Sequence, residues 1–321
     1  MCTAISINDT AHLFGRTLDL ECGLGEEVVI SPRNFHIKYG ITPNQKHHAI
    51  IGAAHVVGGL PLYYDGMNEM GLCAAALNFP AYAVYGETGV KKRGIPSYAL
   101  ITEVLGKCQT TAEAKELLYG AVITSEAFSE GLRPTPLHWI ISDKETSIAV
   151  ESVEEGLKIY DNPAGVLSNS PSFPYHMTRL CDYMMLTPSA PTNRLAPAFS
   201  LRPYSRGMGA IGLPGDFSSV SRFVRAVYSK MHTRPTSGSD ISRFFHVIGT
   251  VNVPHGIVTT EAGTPASTLY TSCMDQDEKV YYFTTYEDRR IRAVKLFGAD
   301  LDDDKITTYP MASREDTLAL N

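Results

Sequence analysis

The chain reads as an α+β fold in which antiparallel β-sheets are covered by separate helix pairs. Three observations carry that expectation. Strand-like runs follow one another across short turn-rich gaps, which favours antiparallel pairing. Helical periodicity is confined to paired segments lying between the strand clusters, which allows a four-layer arrangement. No repeat, low-complexity tract or Pro/Gly-rich linker divides the 321 residues, so one domain spanning residues 1–321 is expected.

The elements follow in order. Residues 2 to 7 alternate, with Thr3, Ile5 and Ile7 on one face and Cys2, Ala4 and Ser6 on a smaller one. Asn8-Asp9-Thr10 is turn chemistry and His12 to Arg16 resumes the extended pattern, so the chain opens with a hairpin. Further strands are expected at Glu27 to Ser31, Leu72 to Asn78, Leu137 to Ser142, Ser147 to Glu151, Leu157 to Asp161, Gly165 to Asn169, Thr268 to Cys273 and Val280 to Thr285. Helices are expected at Ser97 to Lys107, at Ala112 to Tyr119 behind a Thr110-x-x-Glu113 capping box, at Ser218 to Met231, and at Ile241 to Ile248 after Ser239-Asp240.

Composition narrows the function. Apolar residues at 44 % and charged residues at 19 % describe an ordinary folded chain. Its 28 Lys+Arg against 34 Asp+Glu give a net charge of -6 with no basic block, which argues against nucleic acid and anionic membranes as partners. No run of roughly 18 apolar residues occurs, and the N-terminus lacks signal-peptide regions. The six cysteines form no CxxC pair and His47, His48 and His55 have no metal-binding spacing, so neither a metal nor a cofactor is expected. A reducing cytoplasm is the expected compartment.

Cys2 is the sharpest chemical feature. Removal of Met1 would leave a thiol and a free α-amine on one residue, so nucleophile and base would be neighbours. A small residue that merely opens a strand would also explain it. Arg16 and Asp19 stand farther along the hairpin and face opposite sides of a regular strand, so a bend near Thr17 is expected if both reach Cys2; a surface ion pair is the alternative. Asn78 and Asn169 each end an apolar run ahead of a proline, as turn formers or as donors to a developing oxyanion. Arg222 lies in the first turns of a helix, where a cation opposes the macrodipole. Such a local conflict points to function, although a solvated arginine would also fit.

These residues fall within Met1-Cys2-Thr3, Phe14-Gly15-Arg16-x-x-Asp19, Asp65-Gly66-Met67-Asn68-Glu69, Leu77-Asn78-Phe79-Pro80, Leu137-His138-Trp139, Asn169-Ser170-Pro171 and Leu213-Pro214-Gly215-Asp216. In that order the motifs resemble the choloylglycine hydrolase family, the bile salt hydrolases and penicillin V acylases, from Cys2 to about Tyr286. The resemblance implies an N-terminal nucleophile hydrolase with an αββα sandwich. It also implies Cys2 as nucleophile, Arg16 and Asp19 as its electrostatic partners, Asn78 and Asn169 as the oxyanion-hole group, and Arg222 as a further charge near the thiol. Activation would need only methionine removal.

Asn78 in Leu-Asn-Phe-Pro looks more like the bile salt hydrolase branch, since some penicillin V acylases carry tyrosine there. Leu18, Tyr64, Phe128 and Leu132 then form an apolar wall for a steroid, and Arg206 is placed to steer the anion of a glycine or taurine conjugate. The implied protein is a homotetrameric amidase that cleaves conjugated bile salts through a thioester. A penicillin V acylase, or a non-catalytic ligand-binding protein, are the alternatives.

Overall fold

The computed structural model describes residues 1–38, 46–87, 93–311 and 314–321. Within them, two antiparallel sheets stack face to face. Sheet I has seven strands, with Val166–Leu167, Cys2–Asn8, His12–Leu20, Pro265–Asp275, Val280–Thr285 and Arg292–Lys295 in spatial order and Val258–Thr259 added beside Pro265–Asp275. Sheet II has nine, running Gly156–Asp161, Ser147–Val153, Leu137–Ser142, Cys73–Asn78, Asp65–Asn68, Ile50–Val57, Glu26–Ser31 and Thr307–Pro310, with Leu60–Tyr63 beside Ile50–Val57. The helices are α1 (Leu100–Lys107), α2 (Thr111–Leu118), α3 (Phe173–Arg179), α4 (Ser219–His232) and α5 (Asp240–Gly249).

The period-2 pattern explains the layering. Residues on one face of each sheet, such as Ala4 and Phe14 of sheet I and Ile51, Ala75 and Ile140 of sheet II, share a core between the sheets. The outer face of sheet II, including Ile50, Ala74 and Trp139, packs on Leu100, Ile101, Val104, Leu105 and Leu118 of α1 and α2. Sheet I buries its outer face under Phe223, Phe244, Val247 and Ile248 of α4 and α5. The result is the expected α+β architecture of four layers, αββα.

Cap chemistry sets the helix starts. Thr110 Oγ1 accepts from Glu113 N at 3.2 Å, while Glu113 Oε2 reaches one residue farther back than a strict capping box, to Gln109 N at 2.7 Å. Ser218 Oγ accepts from Ser221 N at 3.3 Å and begins α4. Two expectations change. His12–Leu20 runs four residues beyond Arg16 with no bend at Thr17; the irregularity lies instead in its partner, between Thr268 and Tyr270 opposite Asp19 and Leu18. The strand expected over Gly165 to Asn169 shortens to Val166–Leu167, because the carbonyls of Ser168 and Asn169 turn to side-chain donors instead of a ladder.

Candidate active site

Cys2 pairs with Leu18, Thr3 with Thr17 and Ala4 with Arg16. Partners across an antiparallel ladder share a face, so Cys2, Leu18 and Arg16 look to one side and Thr3, Thr17 and Asp19 to the other. A 2.9 Å bond from Ser142 Oγ of sheet II to Ser6 Oγ shows that the Cys2 face is the inner one. The thiol therefore looks between the sheets. Cys2 is 2 % exposed.

The thiol side opens on a cavity of 360 Å³ lined by Cys2, Arg16 and Asn78 and by the four expected wall residues Leu18, Tyr64, Phe128 and Leu132. Arg206 does not line it. That residue stands exposed in a segment without strand or helix, just ahead of the left-handed Gly207 (φ 80), and the cavity cations are instead Arg16 and Arg133. Arg133 is exposed and pairs with no carboxylate among the described residues.

Arg16 is fully buried, and a cation there needs fixed partners. Its Nε donates to Thr17 O at 3.1 Å, and Nη1 crosses to sheet II to donate to Tyr64 O at 3.2 Å and Ala76 O at 2.6 Å. Nη2 has no hydrogen-bond partner among the described residues. Burial works against the charge, but Cys2, Tyr270 and the Asp65 and Asp19 carboxylates outweigh it and raise the guanidinium pKa above its ordinary value.

On the nitrogen side the polar groups are closely joined. Cys2 N donates to Asn169 Oδ1 at 2.7 Å, and the same oxygen accepts from Arg222 Nη2 at 2.6 Å. Arg222 Nη1 donates to Cys2 O and to Thr3 Oγ1, both at 2.6 Å, and Nε to Phe217 O at 3.0 Å. Asn169 Nδ2 donates to Asn78 O at 2.7 Å, which fixes the amide orientation. Asp19 accepts from Thr268 Oγ1 at 2.6 Å and Thr17 Oγ1 at 3.1 Å. Met1 extends the ladder, its amine donating to Asp19 O at 2.6 Å while its carbonyl accepts from Asp19 N at 3.0 Å.

The expected cost of a cation early in α4 is offset locally. Asp216 precedes the helix and accepts from Ser221 Oγ at 2.6 Å and Ser218 N at 2.9 Å. Hydrogen bonds from Ser218 and Ser221 hold its pKa down to about 2, so a carboxylate faces the helix N-terminus. Burial lowers the Arg222 pKa, opposed by the charges of Asp19 and Cys2.

Asn169 and Arg222 thus hold the nitrogen side of Cys2, with Asp19 on the same face of the strand pair held by Thr17 and Thr268, while Arg16 and Asn78 border the thiol side. Asn78 lines the cavity and its side-chain amide has no partner among the described residues; Asn169 does not line the cavity. No bend at Thr17 is needed, because one residue presents its thiol and its nitrogen to different neighbours. Sequence reasoning missed Thr17 and Thr268, which hold Asp19, and Arg133. Threonines alternating within strands look like ordinary β-formers, and only the pairing across Pro265–Asp275 reveals their use.

Comparison with known proteins finds relatives along the whole chain. A family model for linear amide C–N hydrolases, choloylglycine hydrolase family, matches residues 2–309. The bile salt hydrolase/transferase of Lactiplantibacillus plantarum is 42 % identical over 324 residues, covering 100 % of each chain. Its namesake from Clostridium perfringens is 36 % identical over 332 residues, covering 100 % of this chain and 99 % of the relative. Among solved structures, a mutant of the conjugated bile acid hydrolase from Clostridium perfringens superposes with a TM-score of 0.92 at 34 % identity over 100 % of both chains. Penicillin V acylase from Agrobacterium tumefaciens does so with a TM-score of 0.75 at 22 % identity over 96 % of this chain and 90 % of that one, a likeness of fold. With the N-terminal hairpin, the two-sided cysteine and these full-length matches in agreement, the chain belongs to the choloylglycine hydrolase family of linear amide C–N hydrolases.

Proposed function

We propose that the protein hydrolyses the amide bond of glycine- or taurine-conjugated bile acids, with Cys2 as nucleophile once Met1 is removed. The observation that carries this reading is the placement of Cys2 at an apolar cavity, with its nitrogen held by Asn169 and the uncommitted Nη2 of Arg16 nearby. The names of the relatives supply the substrate class.

The chemistry follows from those groups. The freed α-amine, whose ordinary pKa is about 7.7–8.0, takes the thiol proton. Arg16 and Arg222 favour the thiolate by charge, and Asp19 balances them. Sulfur attacks the amide carbon while the carbonyl electron pair moves to oxygen. Asn78, with its amide directed to no protein partner, donates to that oxyanion, and Asn169 keeps the nitrogen in line. Collapse breaks the C–N bond, the α-ammonium gives its proton to the departing glycine or taurine, and a thioester remains. Water, deprotonated by the same amine, then releases the bile acid and restores the thiol. Leu18, Tyr64, Phe128 and Leu132 hold the steroid, and Arg133 replaces Arg206 as the cation near the conjugate's anion.

The reading includes a reducing cytoplasm, where the six unpaired cysteines stay free. Among the described residues no helix is long and apolar enough to cross a membrane. A homotetramer is also part of it, supported by exposed apolar side chains, Met184 at 78 %, Leu195 at 90 % and Tyr204 at 85 %. The test is turnover of glycocholate, taurocholate and penicillin V by protein of known intact mass. Rapid release of glycine or taurine by the chain lacking Met1 is expected. A strong preference for penicillin V would overturn the substrate, and full activity with Met1 attached would overturn the role of the amine.

A further inference from the structure

Two fully buried histidines stand behind the site without a part in the chemistry above. His138, in the strand Leu137–Ser142, has Nε2 2.7 Å from Ser168 O and Nδ1 3.2 Å from Glu151 Oε1, and its ring stacks on Phe79 at 4.3 Å and 9°. His176, in α3, has Nε2 2.8 Å from Asn169 O, and its ring stacks on Phe223 at 4.8 Å and 24°. Two consecutive carbonyls therefore each meet an imidazole nitrogen, one from sheet II and one from α3.

The chain needs these donors because it leaves the ladder after Leu167, and a buried carbonyl without a donor is costly. Rings clamped by stacking also fix where those carbonyls point. We propose that His138 and His176 are positioning residues that aim the Asn169 side chain at the Cys2 nitrogen by holding the carbonyls of Ser168 and Asn169. The inference rests on the reading above in taking that nitrogen as the base.

The bonding around Asn169 shows how the clamp acts. Its backbone N donates to Ser219 Oγ at 2.8 Å and its carbonyl accepts from His176, so the peptide groups on both sides are fixed. What is left to the side chain is the span from Asn78 O to Cys2 N and Arg222. His138 adds a second link across that span, since its ring packs on Phe79, the neighbour of Asn78, while its Nε2 holds Ser168, the neighbour of Asn169. Burial lowers the His176 pKa to about 4, so near neutral pH the ring is uncharged and its single proton serves Asn169 O.

The experiment measures kcat and KM for glycocholate in His176→Phe and His176→Gln, each alone and combined with Asn169→Ala. Phenylalanine keeps the stack on Phe223 but donates nothing, whereas glutamine restores an N–H. His176→Phe is expected to lower kcat about 100-fold with KM within about threefold, since small misplacements of reacting groups cost that much. Glutamine should recover most of the loss, and in the Asn169→Ala background the phenylalanine change should cost less than about threefold. An unchanged kcat, or a penalty undiminished without the Asn169 side chain, overturns the proposal. If His176→Phe does not fold, His138→Phe against His138→Gln decides by the same readouts. If wild type cleaves no conjugated bile salt, the substrate reading fails, and the clamp is judged by iodoacetamide labelling of Cys2 in the chain lacking Met1. His176→Phe should slow that labelling about tenfold, and an equal rate would refute the clamp.

Discussion

On the face of sheet I that looks toward sheet II, Cys2 and Arg16 border an open apolar cavity. On the nitrogen side, Asn169 and Arg222 meet each other and the Cys2 backbone, and Asp19 is held by Thr17 and Thr268, so that these side chains are engaged. The thiol side keeps uncommitted donors, namely Arg16 Nη2, the Asn78 amide and the buried Tyr64 hydroxyl, none with a partner among the described residues. In the proposed mechanism the difference separates two tasks: groups that would meet charge appearing during the reaction stay free to meet it, whereas the groups that would hold the base are fixed beforehand.

The largest expected effect is the removal of the sulfur. Cys2→Ala should lower glycocholate turnover by about 10⁴-fold or more while the cavity still binds the substrate, as calorimetry would report. Residual turnover within tenfold of wild type would end the nucleophile assignment. Next comes Asn78→Ala, which removes an uncommitted donor. Its kcat should fall about 10²–10³-fold, equivalent to about 2.7–4 kcal/mol of transition-state stabilisation, with Tm nearly unchanged. A variant with normal kcat would move the oxyanion donor elsewhere and erase the contrast between the two sides.

Much of this was legible from the chain itself. Alternation over residues 2 to 7 puts Cys2 on the face with Ala4 and Ser6, and the bond between Ser142 and Ser6 bears that out. The capping box announced α2, where Thr110 accepts from Glu113 N, whereas Ser239, read ahead of α5, stands at the N-cap with no side-chain hydrogen bond. The bend expected at Thr17 is absent because Cys2 is not one point: its thiol and its nitrogen meet different surroundings, so residues on opposite faces of a regular strand can both reach it. Ile50–Val57 escaped notice because Gly52, Ala53 and Ala54 interrupt any strong β pattern. Their small size is set by a distant segment, since a Cβ on Gly52 would lie 2.1 Å from Asp65 O. Arg206 was misplaced because a cation in a loop carries no local sign of where the loop goes.

The nitrogen side also makes a pH prediction, of intermediate size. His176 has an ordinary pKa of 6.5 that burial lowers to about 4 in the fold, so the unfolded chain binds its proton more readily between those values. The folded state gains from keeping the ring neutral, and that gain is fully present above about pH 6.5. It falls away as pH drops toward 4 and amounts to about 3 kcal/mol at most. Thermal unfolding between pH 7 and pH 4 should therefore show a steeper loss in wild type than in His176→Gln, which has nothing to titrate there. Parallel curves would mean that the fold does not shift the ring's titration, and a shallower loss in wild type would mean that Asn169 O is held by an imidazolium.

The smallest effect is expected on the cavity wall. Phe128 is half-buried and meets Tyr98 edge-on, with ring centroids 5.3 Å apart at 87°. A side chain that touches only the steroid binds the ground state and the transition state alike. Phe128→Ala should therefore raise KM about tenfold, within the 1–3 kcal/mol typical of an apolar pocket contact, and leave kcat within about threefold. Because the steroid is common to both conjugates, glycocholate and taurocholate should suffer equally. An unequal loss would place Phe128 against the amino-acid end instead. A lower kcat at constant KM would show that this wall also aligns the scissile amide, and the division between free donors and passive apolar surface on the thiol side would then have to be redrawn.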